Sequence, residues 1–248
     1  RAAVGIEGDR VQLLRGDVSS VQAGRQINAN GMVVCPGFID MHSHSGLMLL
    51  HHPRNEPKIH QGITTELIGV DGNSYAPFTS HEDLLAFIEV NSGLDGNPPL
   101  PGHWSTVAEY LSMFDNKVAV NIAYIIGNSP IRICAVGWGD RKATGDELEY
   151  KKSLLRQGME EGAFGLSTGL DYPPGSYADT NELVELRKEA ARLGGIYHTH
   201  VRYKLGDRYL DPFREALEIG QRSGVPVHVT HFYQRAPSSG GGHRLLRL

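Results

Sequence analysis

The sequence predicts an α/β fold: βα units around a parallel sheet of the (β/α)8 barrel type, incomplete with about six strands, preceded by part of a small β-sandwich. Three observations carry this. A chain of 248 residues with 40% hydrophobic side chains suits one sizeable core, since a single such barrel takes about 250 residues. The first 35 residues break into short strand-like runs separated by glycine turns. From Pro36-Gly37 onward, apolar runs alternate with amphipathic stretches, the pattern of a parallel sheet wrapped by helices.

The N-terminal runs are Val4 to Ile6, Val11 to Leu14, Gln26 to Asn28 and Met32 to Cys35, with turns at Glu7-Gly8-Asp9 and Asn30-Gly31. The barrel strands expected are Phe38 to His44, Ile63 to Gly69, Val118 to Gly127, Phe164 to Thr168, Gly195 to Val201 and Val225 to Phe232. Between them, Val107, Tyr110, Leu111 and Phe114 share a helical face. Thr144 with Glu147 forms a capping box. Leu183, Leu186, Ala190 and Leu193 make a stripe stopped by Gly194. Asp211 and Pro212 supply an N-cap and N1 proline ahead of Phe213, Ala216, Leu217 and Gly220. The last stretch is Ser/Gly-rich, then basic. The expected division is therefore residues 1–36 in the partial sandwich, 37–234 in the barrel and 235–248 in a disordered tail.

A formal charge of −4 with no Lys/Arg run provides no field for a phosphate backbone, so nucleic acid is not an expected partner. No apolar stretch reaches the roughly 20 residues that span a bilayer, and Arg1-Ala2-Ala3-Val4-Gly5 does not read as a signal peptide. The expectation is a soluble, cytoplasmic protein that does not bind membranes. Cys35 and Cys134 are too few for a disulfide framework or a cysteine-based zinc knuckle.

The 12 histidines are informative through their spacing. Asp40, His42 and His44 share one strand parity, as do His198 and His200, and His231 continues the face of Val227 and Val229. Two imidazoles at i and i+2 near the C-terminal end of a barrel strand can grip one divalent ion, and active sites sit at that end. Taken singly, any of these histidines is better explained as a hydrogen-bonded core residue; the pair His42 and His44 after an apolar strand favours metal. His198 lies one layer below His200, which favours a structural role. Asp40 is open between two roles, a carboxylate orienting a ligand imidazole and a buried acid satisfied by backbone donors. The other histidines, His228 on the opposite strand face among them, read as structural or solvated.

Pro36-Gly37-Phe38-Ile39-Asp40-Met41-His42-Ser43-His44 resembles the signature of the amidohydrolase superfamily. Gly165 to Gly175 (GLSTGLDYPPG) and Gly194 to Arg202 (GGIYHTHVR) look like its N-acyl-D-amino-acid deacylase branch. The resemblance implies a distorted barrel with a small β-sandwich, and zinc, as one or two ions, held by His42, His44, His200 and His231. The family's second-strand ligand is a cysteine; here Asp71 stands in its place, either as a harder ligand or as a turn residue ahead of Gly72. The implied activity is hydrolysis of the amide of N-acyl-D-amino acids, the metal polarising the carbonyl and activating water. The family's general base, an aspartate after an eighth strand, lies beyond this sequence, so the catalytic residue is left unassigned and the chain reads as truncated. For the small-molecule substrate, Arg202 is a candidate partner of its carboxylate or a solvated salt-bridging arginine, and Tyr172 lines the mouth or packs its loop. Two alternatives remain open: an amidohydrolase acting on a cyclic amide, against which stands the absence of lysine in Phe164 to Thr168, and an inactive remnant.

Overall fold

The computed structural model describes residues 2–203, 208–233 and 242–248. The chain divides at Gly37/Phe38 into two compact units. In the first, β1 (Ala3–Glu7) and β2 (Arg10–Leu14) form an antiparallel hairpin, turning through Gly8 at φ 59. The strands expected at Gln26 to Asn28 and Met32 to Cys35 do not form: these residues are irregular, with Val33 89% exposed. β-propensity alone does not hold a strand that has no ladder partner.

The second unit alternates strands and helices. In chain order it contains β3 (Phe38–Ser43), the short α1 (Met48–His51) and α2 (Glu56–Ile59), β4 (Ile63–Ile68), α3 (His81–Asp95), α4 (Val107–Ser112), β5 (Asn121–Tyr124), β6 (Ile126–Gly127), α5 (Asn128–Val136), α6 (Gly145–Glu160), β7 (Gly165–Gly169), a 3-10 turn (Gly175–Tyr177), α7 (Thr180–Arg192), β8 (Ile196–His200), α8 (Asp211–Ser223), β9 (Val227–Val229) and α9 (Gly242–Leu245). All its strand pairs are parallel, in the orders β3-β4-β5 and β6-β7-β8-β9. The single strand expected over 118–127 is interrupted at Ile125, whose N–H is instead donated to the Ile68 carbonyl at 3.0 Å. No helix among the described residues is long and apolar enough to cross a membrane.

Helix starts follow local chemistry. Thr144 and Glu147 form the expected capping box on α6, and Thr106 with Glu109 forms a second one on α4. α8 begins one residue earlier than expected: Leu210 is its N-cap and Asp211 already lies inside the helix, where a carboxylate favours the positive end of the helix dipole. Inward faces carry the core: Phe87, Tyr110, Tyr124, Ile126, Leu155, Leu166 and Leu186 are buried. Leu193 lies past the end of α7 and is 41% exposed, so the stripe stops at Ala190. Gly220 brings α8 against β9, since a Cβ there would lie 2.3 Å from Val227 Cγ2.

The disordered tail expected over 235–248 needs correction in part. Residues 234–241 lie outside the described ones, but Gly242–Leu245 forms a helical turn. Its Leu245 is buried with Val201, Phe213 and Ala216, so one apolar side chain anchors a segment without useful periodicity.

Candidate metal centre

The C-terminal ends of β3, β4, β8 and β9 deliver the site. His42 lies in β3 and His44 one residue beyond it; His200 closes β8. Asp71 sits in a turn after β4 whose backbone is left-handed at Gly69 (φ 85), Asp71 (φ 54) and Gly72 (φ 75), a conformation uncommon for non-glycine residues. The turn is seated very closely. A Cβ on Gly69 would lie 2.0 Å from the Ile125 carbonyl oxygen, and one on Gly169 2.0 Å from the Asp71 carbonyl oxygen. Ser167 pins it further: its hydroxyl donates to the Gly69 carbonyl at 2.5 Å and accepts from the Gly72 N–H at 3.0 Å.

His231 arrives by a route different from the one the sequence implies. β9 ends at Val229 and His231 takes φ 48, so strand alternation no longer governs where it points. The residues that truly alternate are His228, in register with His198, and its neighbours. The expectation that His228 faces away is therefore corrected: its ring stacks on His198, centroids 4.6 Å apart, while Val227 packs outward.

Asp71 is the hub. Its Oδ2 lies 3.3 Å from His231 Nε2, 3.4 Å from His42 Nε2, and 3.6 Å from both His44 Nε2 and His200 Nδ1. His42 Nε2 and His44 Nε2 are 3.2 Å apart. Donors bound to one tetrahedral zinc at 2.0–2.1 Å stand about 3.3 Å from one another, so these separations match a shared ion. His42, Asp71 and His231 in particular place their donor atoms within 4.8 Å of one another.

The outer ring nitrogens agree with this. His44 Nδ1 is 2.8 Å from Asp95 Oδ1 and His200 Nε2 is 3.2 Å from Asp171 Oδ2, leaving the opposite nitrogens turned toward Asp71. Buried His200 Nδ1 has no hydrogen-bond partner among the described residues, and an orphaned buried nitrogen suits a metal ligand. Burial opposes ionisation of Asp71, but the adjoining imidazoles of His200, His44 and His42 more than offset it, holding its carboxyl well below the usual range. Burial also lowers the His44 pKa, yet Asp71 and Asp95 together push it up to about 9. His42 is lowered, first by burial.

The amidohydrolase family model matches residues 25–246. The chain belongs to the amidohydrolase family. It is 34% identical over 241 residues to D-aminoacylase of Alcaligenes xylosoxydans xylosoxydans, covering 93% of this chain and 46% of the relative. It is 33% identical to N-acyl-D-glutamate deacylase of the same organism, covering 97% of this chain and 48% of the relative. Among solved structures, N-acyl-D-glutamate deacylase from Bordetella bronchiseptica, complexed with zinc and a phosphonate mimic of the tetrahedral intermediate, superposes with a TM-score of 0.87 at 31% identity, over 100% of this chain and 51% of that one. A D-aminoacylase with a binuclear metal centre gives a TM-score of 0.82 at 33% identity, over 98% of this chain and 50% of that one. This amidohydrolase chain spans about half the length of the curated relatives it matches.

Other residues singled out from the sequence take different positions. Asp40 does not reach the His42 imidazole: its Oδ1 accepts from the His42 backbone N–H at 3.0 Å and its Oδ2 pairs with Lys58. Lys58, on α2, captures the carboxylate that strand parity had directed toward His42. Arg202 is committed to backbone, donating to the carbonyls of Ser176 at 2.5 Å and Ala178 at 2.9 Å, with Glu215 at 3.4 Å. Its guanidinium braces the loop after β7 and is not offered to a ligand carboxylate. Tyr172 packs on the His200 ring, centroids 4.8 Å apart. His198 donates its Nε2–H to the Met41 carbonyl at 3.1 Å, which fixes its tautomer.

Three contributors escaped the sequence reading. Asp95 pairs with His44 Nδ1 and Asp171 with His200 Nε2, and Tyr203 donates to the His231 carbonyl at 2.5 Å. Asp171 carries a signal, as an acid two residues past the end of β7. Asp95, 51 residues from His44, carries none.

Proposed function

We propose that this chain forms the metal-holding part of a zinc-dependent hydrolase that cleaves the amide of N-acyl-D-amino acids, releasing a carboxylate and the free amino acid. The observation that carries it is the convergence of His42, His44, His200 and His231 on Asp71 at zinc-like donor separations. We also propose that β3, β4, β5 with β6, β7, β8 and β9 are six strands of a (β/α)8 barrel and that the residues up to Gly37 belong to a small β-sandwich. The placement of the histidines at strand C-terminal ends supports the barrel. The relatives' substrates support the D-configured, N-acylated substrate class.

The four histidines and Asp71 are the residues that hold zinc, one ion or two. When bound, zinc supplies a Lewis acid for the amide carbonyl and lowers the pKa of water to about 7. Asp71 supplies negative charge at the centre, and its backbone strain and close seating keep it from swinging away. Asp171 orients the His200 imidazole. Tyr172, packed at a tilt against the His200 ring, lines one wall of the approach. The test is release of free amino acid from N-acetyl-D-glutamate, N-acetyl-D-methionine and their L enantiomers by the zinc-loaded protein. Turnover confined to D substrates supports the proposal; preference for L substrates, or a folded protein that takes up no zinc, overturns it.

A further inference from the structure

We propose that Asp95 is a positioning residue for the metal centre: it fixes the tautomer and ring orientation of His44, so that Nε2 presents its lone pair inward. The inference rests on the zinc reading of that centre. Asp95 is the last residue of α3 and is 3% exposed. That is a poor place for an acid on two counts: the C-terminal end of a helix is its negative end, and a buried carboxylate must recover its lost hydration from partners. Helix stability does not explain it.

The partners do. Oδ1 lies 2.8 Å from His44 Nδ1, and Oδ2 accepts from the Tyr75 hydroxyl at 2.5 Å. An ionised carboxylate only accepts, so the Nδ1 facing it carries the proton; a metal takes the imidazole in its neutral form, displacing the second proton, and the lone pair then lies on Nε2. That atom is 3.2 Å from His42 Nε2 and 3.6 Å from Asp71 Oδ2. Tyr75 locks the second oxygen and thereby the carboxylate plane. Gly96 makes the placement possible. It turns the chain at φ 78, and a Cβ there would lie 2.6 Å from Met48 Sδ, so α3 stops where Asp95 meets His44.

Outer partners of this kind typically change metal affinity 10–100-fold when removed. The experiment is a chelator-competition measurement of zinc affinity, with the visible spectrum of the cobalt-substituted protein, on the wild type, Asp95→Ala, Asp95→Asn and Tyr75→Phe. Asp95→Ala is expected to weaken zinc about 10–100-fold and to alter the cobalt spectrum. Asp95→Asn, which keeps the volume and one acceptor, should fall between it and wild type. Tyr75→Phe should lose the least, because His44 keeps its acceptor. A structural role alone would lower the melting temperature and leave the zinc affinity of the folded variants unchanged, which overturns the proposal. Should Asp95→Ala fail to fold, wild-type affinity in Asp95→Asn overturns it equally. A wild type that binds no zinc overturns the metal reading itself, whereas zinc held equally by wild type and variants overturns only the role of Asp95.

Discussion

Replacing Gly69 by alanine tests how the site is built. Gly69 holds φ +85, and its new Cβ would meet the Ile125 carbonyl oxygen at 2.0 Å and Ser74 Cβ at 3.2 Å. A side chain on left-handed backbone costs about 1–2 kcal/mol, and overpacking against atoms that cannot yield adds ~1–3 kcal/mol. The sum, about 2–5 kcal/mol, is a large share of the ~5–15 kcal/mol that stabilises a domain. Gly194 is the control: it has φ +73 but no atom within 4 Å of an added Cβ, so Gly194→Ala incurs only the backbone cost, about 1–2 kcal/mol. The two variants are compared by urea unfolding and by zinc titration. Gly69→Ala should be the less stable by ~1–3 kcal/mol and should also bind zinc more weakly, because relief of the clash displaces Asp71 two residues on. Equal destabilisation by the two, or undiminished zinc affinity in Gly69→Ala, would refute the view that close seating of this turn positions Asp71.

Three further outcomes are expected. Asp71→Asn keeps the shape but not the charge and should lower zinc affinity by at least about tenfold, while Asp71→Cys restores the thiolate that the family resemblance implies and should retain zinc; both are read by chelator competition. Arg202→Ala loses its bonds to the Ser176 and Ala178 carbonyls and should lower thermal stability by about 1–3 kcal/mol with KM for an N-acyl amino acid nearly unchanged; a large KM effect without destabilisation would return Arg202 to substrate binding. His198, its pKa pushed down to about 3 by burial and by neighbouring His228, is neutral when folded and takes up a proton near pH 6.5 when unfolded. Its contribution to stability is therefore whole above about pH 6.5 and is lost as pH falls toward 3. Urea midpoints at pH 7 and pH 5 should differ less in His198→Asn than in wild type, and an unchanged difference would contradict the assignment.

The sequence made legible what depends on local periodicity. His42, His44 and His200 follow from strand parity and a strand's C-terminal end, and the α6 capping box from two residues three apart. His231 was reachable as a residue but not by parity, because the backbone reverses to φ 48 after β9. What stayed hidden depends on contacts between distant segments. Nothing near Asp95 announces His44, nothing near Arg202 announces the carbonyls of the preceding loop, and Lys58 claims Asp40 from a helix of four residues. The extended runs at Gln26 to Asn28 and Met32 to Cys35 fail for the same reason: a strand is made by its neighbour as much as by its own residues.

Metal content decides whether the five proposed side chains hold zinc. Elemental mass spectrometry on the purified protein, beside a His42→Ala/His44→Ala variant verified as folded by circular dichroism, should find zinc near or above one equivalent in the wild type and largely absent from the variant. A folded wild type without zinc after exposure to it, or a variant that retains as much, would contradict the account.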